Sequence, residues 1–175
     1  MKKISGLLVS IALCFPLVGI AGGNIQIGFS PEGSALKLVL STTGNARESI
    51  RLMAYSFTSP DVVKSLLDAH RRGVDVRVVV DQNGNKSKAS KAALNLLVNA
   101  GIPTRTIAAY KIHHDKVIIV DGKTTETGSF NYSRAADRSN SENVIVIRDN
   151  PDVAKIYLAH WQSRWEQGKD WTSTY

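Results

Sequence analysis

The 175-residue chain reads as an α/β layered domain, a mixed and mostly parallel β-sheet flanked by helices. Two patterns predict this class. β-branched runs of strand length, such as VDVRVVV at Val74–Val80, alternate with stretches whose apolar positions repeat at helical spacing. The junctions between them carry Ser, Pro or Gly where a helix starts or stops. No internal repeat, low-complexity tract or long linker breaks the alternation. Residues 22–175 are therefore expected to form one domain, long enough for a full hydrophobic core.

The first element stands apart as a leader. Lys2 and Lys3 precede the largely apolar Ile4–Ile20, and Gly19 and Ala21 are the small residues of a signal-peptidase site. Residues 1–21 are read as a signal peptide cleaved after Ala21, which places the mature chain in the periplasm or outside the cell. The alternative is an uncleaved anchor, which needs roughly 20 apolar residues; Pro16 and Gly19 interrupt this run. Cys14, the only cysteine, lies in the leader, so the mature domain is expected to lack disulfides and thiolate metal sites.

The domain elements follow in order. Asn24–Phe29 is a short strand, and Ala35, Leu36, Val39 and Leu40 start a helix over Ser34–Leu40. Ser49–Phe57 is a strand. Ser59-Pro60 supplies an N-cap and a first-turn proline for a helix with Val62, Val63, Leu66, Leu67 and Ala69 on one face, ended by Gly73. Strand Val74–Val80 closes on Asp81. A helix over Ser87–Asn99 ends at Gly101, and Thr104–Ala108 leads towards the segment that holds the chemistry. Glu142–Ile147 is a strand. In the last helix, Asp152–Gln167, the spacing of Tyr157, Leu158, Trp161 and Trp165 points to core packing, not to a base-stacking platform.

That chemistry lies in IHHDKVIIVDGKTTETGSFNYS, Ile112–Ser133. Strand alternation puts His114, Lys116, Ile118 and Val120 on one face and Asp121 on the other. A two-residue hairpin loop within Asp121–Thr124, with Gly122 supplying the positive φ, sets His114 opposite Asn131 and Lys116 opposite Ser129. An Asp121-Gly122 loop shifts the pairing by two and keeps the face; a bulge or a three-residue loop would break it. The converging imidazole, ammonium, hydroxyl and amide suit a phosphodiester. Lys116, Ser129 and Asn131 can donate to non-bridging oxygens as their charge grows, without a metal or other cofactor. His114 can attack phosphorus as a neutral nucleophile, or act as acid or base. It cannot also protonate the leaving oxygen, so a second acid is required.

Plainer readings cover the other candidates. His70 and His160 are read as satisfied surface or core residues, and His113 faces away from the patch by parity. His113, His114 and Asp115 alternate faces and no further His or Cys joins them, which argues against a metal site.

His114-x-Lys116, Asp121 and Gly128-Ser129-x-Asn131 match every defined position of H-x-K-x4-D-x6-G-S-x-N, and on that motif the chain resembles the phospholipase D superfamily. Tyr55–Ser59, Arg72-Gly73-Val74 and the strand ending at Asp81 extend the likeness over nearly the whole mature domain. Most members carry two motif copies. One copy in a short chain with a leader is similar to the bacterial EDTA-resistant endonuclease branch. The resemblance implies the phospholipase D/nuclease fold and a homodimer with a shared active site on its two-fold axis. It implies that one His114 forms a phosphohistidine while the second copy's His114 protonates the leaving oxygen and then activates water, with net retention at phosphorus. It also implies that Lys116 and Asn131 hold the non-bridging oxygens, that Ser129 supports them, and that Glu142 sets a carboxylate on His114 Nδ1. Asp121 faces away by parity, so it and Gly128 are given structural or supporting roles.

Charge points the same way. Without the leader the formal net charge falls from +7 to +5, and between Gln82 and Val120 six Lys/Arg stand against Asp115 alone. Lys86, Lys88 and Lys91 are candidate phosphate contacts, with a solvated helix face as the alternative. The activity expected is metal-independent, sequence-nonspecific endonucleolysis of DNA, with RNA left open. With no base-reading element in view, backbone contacts and salt sensitivity should dominate. The alternatives are a phospholipase D-type lipid enzyme, for which neither an amphipathic docking helix nor a second motif is visible, and a catalytically silent nucleic-acid-binding protein, which the intact motif disfavours. No stable membrane association is expected of the mature form.

Overall fold

The computed structural model describes residues 19–21 and 24–173. In chain order the elements are β1 (Gly19–Ala21), β2 (Ile25–Ser30), α1 (Ser34–Gly44), β3 (Ser49–Ala54), α2 (Pro60–Arg71), β4 (Asp75–Asp81) and α3 (Lys88–Asn99). Then come β5 (Thr104–Ile107), β6 (Lys116–Val120), β7 (Thr124–Gly128), α4 (Arg134–Arg138), β8 (Glu142–Ile147), α5 (Pro151–Gln167) and β9 (Lys169–Asp170). The strands form one sheet in the order β1-β2-β8-β7-β6-β3-β4-β5-β9. The rest of the expected leader lies outside the described residues; β1, its last stretch, pairs antiparallel with β2.

The sheet is mixed, as expected, but it is not mostly parallel. Only β3–β4 and β4–β5 pair in parallel among the described strands, joined by the α2 and α3 crossovers. The other six pairings are antiparallel. A parallel neighbour requires a crossover long enough for a helix, and β6 to β7 are joined by a tight turn. β2 and β8, far apart in sequence, also meet head to tail.

Local chemistry explains the helices. Ser59, Ser87 and Asn150 cap α2, α3 and α5 by accepting the backbone N–H groups of Val62, Ser90 and Val153. Pro60 and Pro151 fill first-turn positions that need no N–H partner. Alternation then sorts the strands into two cores. Ile50, Leu52, Val76, Val78, Val80, Ile118 and Val120 pack under α1, α2 and α3. Met53, Val79, Val117 and Ile119 pack under Trp161 and Trp165 of α5. Both faces of the central strands are covered, hence their unbroken apolar runs.

The β6–β7 turn departs from the expected two-residue loop. Val120 pairs with Thr124, so Asp121, Gly122 and Lys123 form a three-residue turn. Asp121 and Gly122 both take positive φ, 53° and 64°. The register moves by one, and Lys116 comes level with Gly128 where Ser129 was expected.

Candidate active site

The motif residues other than Asp121 gather at one end of the sheet, where β3 and β4 finish and β6 and β8 begin. Lys116 opens β6 opposite Ala54, the last residue of β3. Its side chain is buried, its Nζ donates to the His114 carbonyl at 2.8 Å, and it stands 5.4 Å above the Tyr55 ring. Burial lowers the pKa of this ammonium, while the negative charges of Asp115 and Glu142 oppose the shift. His114 sits just before the strand, exposed to solvent, with its ring 4.8 Å from that of Tyr55 and tilted by 57°. Tyr55 is thus the common floor under the imidazole and the ammonium. The motif does not include Tyr55, which the sequence marks only as part of the Tyr55–Ser59 segment of the family likeness.

Two loops fix this floor. Tyr55 N–H donates to the Asp115 carbonyl at 2.9 Å. Buried Asn85 donates to the carbonyls of Tyr55 (2.6 Å) and Asp81 (2.8 Å), and accepts from Phe57 N–H (2.9 Å). Asp81, buried at the end of β4, accepts from Gly84 N–H at 2.6 Å and His113 N–H at 2.7 Å. The strand expected to close on Asp81 therefore ends in a ligand for the backbone beside His114.

The Gly-Ser-x-Asn segment enters from β7. A Cβ on Gly128 would stand 2.2 Å from the Asn143 carbonyl oxygen, so no side chain fits there. That close approach lets Ser129 N–H donate to Asn143 O at 3.1 Å. Ser129 Oγ in turn accepts from Asn143 N–H at 3.0 Å and donates to Glu142 Oε2 at 2.5 Å. The shifted register is thus offset by leaving the ladder: Ser129 reaches the site by hydrogen bonding across to β8. Asn131 is half-buried, and its Oδ1 has no hydrogen-bond partner among the described residues. Its neighbours Phe130 and Tyr132 are buried, and Tyr132 O–H donates to buried Glu126 at 2.7 Å.

Glu142 occupies a different place from the one the resemblance implies. Ser129 holds Oε2 and Asn140 Nδ2 donates to Oε1 at 2.9 Å. Among the described residues no hydrogen bond or ion pair joins it to His114. Asp121 lies at the far end of β6, where its carboxylate accepts from Glu48 N–H (2.8 Å), Ser49 N–H (2.9 Å) and Arg47 N–H (3.0 Å). Lys86, Lys88 and Lys91 are exposed, and among the described residues none pairs with a carboxylate. Lys86 follows Asn85, whose side chain donates to the Tyr55 carbonyl. No group of three or more His, Cys, Asp and Glu among the described residues is arranged to hold a metal ion.

Comparisons with known proteins agree on the class of site. Residues 39–165 match the family model described as "Cardiolipin synthase, PLD-like domain". The fold superposes on the phospholipase D family member Nuc from Salmonella typhimurium with a TM-score of 0.84 and 56% identity, over 85% of this chain and 98% of that one. Phospholipase D of Rickettsia bellii is 41% identical over 145 residues, 83% of this chain and 71% of its own. Mitochondrial cardiolipin hydrolase of Xenopus laevis is 34% identical over 134 residues, 77% of this chain and 62% of its own.

Proposed function

The chain belongs to the PLD-like domain family and is a phosphodiesterase of the phospholipase D superfamily, and from that premise we propose that it is a metal-independent, sequence-nonspecific endonuclease acting on DNA. One observation carries the choice of substrate. Its likeness is greater to Nuc, of the endonuclease branch, at 56% identity over 98% of that chain, than to the Rickettsia phospholipase D, at 41% over 71%. The unpaired Lys86, Lys88 and Lys91 support the same reading, because a continuous polyanion would engage cations beyond the reacting phosphate.

In this proposal an exposed His114 ring attacks phosphorus, the P–O bond breaks, and the leaving oxygen takes a proton from His114 of a second copy. That imidazole then removes a proton from water, which displaces the first His114 from phosphorus and restores both rings. Lys116 and Asn131 donate to the non-bridging oxygens. Ser129 and Asn140 hold Glu142 where its charge supports the protonated Lys116. The homodimer is supported by the chemistry: a second acid is needed, and His114 stands open on the surface. Residues 1–21 are proposed to direct export. Their removal would take away β1 and leave β2 paired with β8, so the sheet does not depend on them.

A lipid phosphodiester is the second reading. The phospholipase D and cardiolipin hydrolase relatives favour it, and so does an apolar groove of about 360 Å³ between α2 and α3, lined by Pro60, Val63, Leu67, Ala92, Ala93 and Leu96. None of the described helices is long and apolar enough to cross a membrane. A DNA activity gel run in excess EDTA decides. Clearing by the wild type and none by His114→Ala supports the nuclease; headgroup release from phospholipid vesicles without clearing supports the lipid enzyme.

A further inference from the structure

We propose that Asp115 and His160 are positioning residues that tie the loop carrying His114 to helix α5; this rests on the reading of His114 as the nucleophile. His114 lies in residues 112–115, outside any strand or helix, and its side chain is exposed. An exposed imidazole on irregular backbone has many orientations, and only a narrow set can attack phosphorus in line. Something must restrict it.

The restriction comes from its neighbours. His113 is buried and Asp115 half-buried, while the His114 side chain between them is exposed. Asp115 Oδ2 lies 3.0 Å from His113 Nε2 and 3.3 Å from His160 Nε2 of α5. His113 is 2% exposed, so this end of the cluster is sealed; His160 is 37% exposed and closes it from the helix. The close approach of His113, then of His160, outweighs burial and holds the Asp115 carboxyl at about 2, so it is anionic across the working range. α5 is a firm anchor: Trp161, next to His160, is buried, donates from its indole N–H to the Leu52 carbonyl at 3.0 Å and stacks on Trp165 at 5.1 Å.

The backbone completes the clamp. His113 N–H donates to Asp81, the Asp115 carbonyl accepts from Tyr55 N–H, and the His114 carbonyl accepts from Lys116 Nζ. Peptide groups on both sides of His114 are therefore tethered, and the ring alone is left free to meet substrate. The carboxylate has a second effect. Lys116 faces the Asp115 and Glu142 charges, the His114 carbonyl and the Tyr55 ring, so Asp115 is one of two anions that keep its proton on.

The test compares wild type, His114→Ala, His160→Ala, His160→Gln and Asp115→Asn in hydrolysis of bis(p-nitrophenyl) phosphate, with thermal melts alongside. His160→Ala is expected to lower kcat about tenfold, with KM changed less than about twofold and Tm unmoved, since a small misplacement of a reacting group has effects of that size or larger. His160→Gln, whose amide N–H can stand near the lost Nε2, is expected to restore most of kcat. Asp115→Asn should lower kcat further and move the alkaline limb of the pH profile to lower pH, as Lys116 loses one of its two anions. Wild-type kcat in both His160→Ala and Asp115→Asn, or a His160→Gln no better than His160→Ala, overturns the proposal while an inactive His114→Ala leaves the nucleophile intact. An active His114→Ala removes the nucleophile and the proposal together.

Discussion

Strand β6 carries a motif charge at each end, and the two ends have opposite physical characters. Lys116 is buried, its pKa is lowered, and among the described residues its ammonium hydrogen-bonds only to a carbonyl two residues back. Asp121 is saturated by the backbone N–H groups of Arg47, Glu48 and Ser49. One end holds a charge with a single hydrogen-bond acceptor among the described residues; the other holds a charge spent on folding. Residues that share a motif thus need not share a role, and partner satisfaction separates the two kinds.

The sharpest way to break that contrast is Lys116→Met. If the ammonium is reserved for the developing charge on phosphorus, kcat should fall by about 10³-fold, the size of effect seen when one transition-state donor is removed. Stability should stay level or rise, because a desolvated charge is replaced by a side chain of similar volume. A urea titration beside the kinetic assay reads both. A destabilised Lys116→Met that kept its turnover would erase the distinction between the two ends.

Gly128→Ala probes a position that serves both the β7–β8 pairing and the placing of Ser129. The added methyl meets the Asn143 carbonyl oxygen at 2.2 Å, and relieving that contact must part β7 from β8. The expected cost is about 3 kcal/mol, at the upper end for forced overpacking. Activity should fall in the folded fraction too, since Asn143 O is the acceptor that brings Ser129 to Glu142. Denaturant midpoints and kcat should move together here, in contrast to Lys116→Met.

Asp121→Ala is the counterpart at the far end. Three backbone donors lose a charged acceptor, with an expected loss of about 2 kcal/mol. The folded enzyme should keep its kcat within about twofold, since the reacting groups lie at the other end of the strand. A large loss of kcat without loss of stability would show that the two ends communicate.

Asp121 also shows why part of the structure escaped the sequence. The motif, the face of Lys116 and the Ser59-Pro60 cap rest on local spacing, and all could be read. The turn could not. Asp-Gly is a two-residue hairpin signal, yet Asp121 takes φ 53° because its carboxylate hooks backbone donors more than 70 residues earlier. Tyr55 under His114, and His160 against Asp115, are likewise contacts between distant segments, set by strand order. Part of the antiparallel majority has the same origin: β2 beside β8 and β3 beside β6 are pairings that no local pattern links.

Between the two ends of the hairpin lies another carboxyl, and its predicted effect is on the pH dependence of stability alone. Glu126 is fully buried on β7, with Tyr132 O–H donating to one oxygen and no partner for the other among the described residues. Burial raises its pKa from 4.5 to about 8, against the opposing hydrogen bond from Tyr132. The folded chain therefore binds a proton that the unfolded chain releases above its ordinary pKa. Its contribution to stability is present in full below about pH 4.5 and declines as pH rises through about 8. Glu126→Gln keeps an acceptor for Tyr132 but cannot ionise. Urea midpoints measured at several pH values from 5 to 9 should decline more steeply in the wild type than in Glu126→Gln, with the variant the more stable at the alkaline end. Equal slopes would mean that Glu126 is already ionised in the folded state, and that a carboxylate can sit beneath the Gly-Ser-x-Asn loop with less compensation than the one at Asp121 receives.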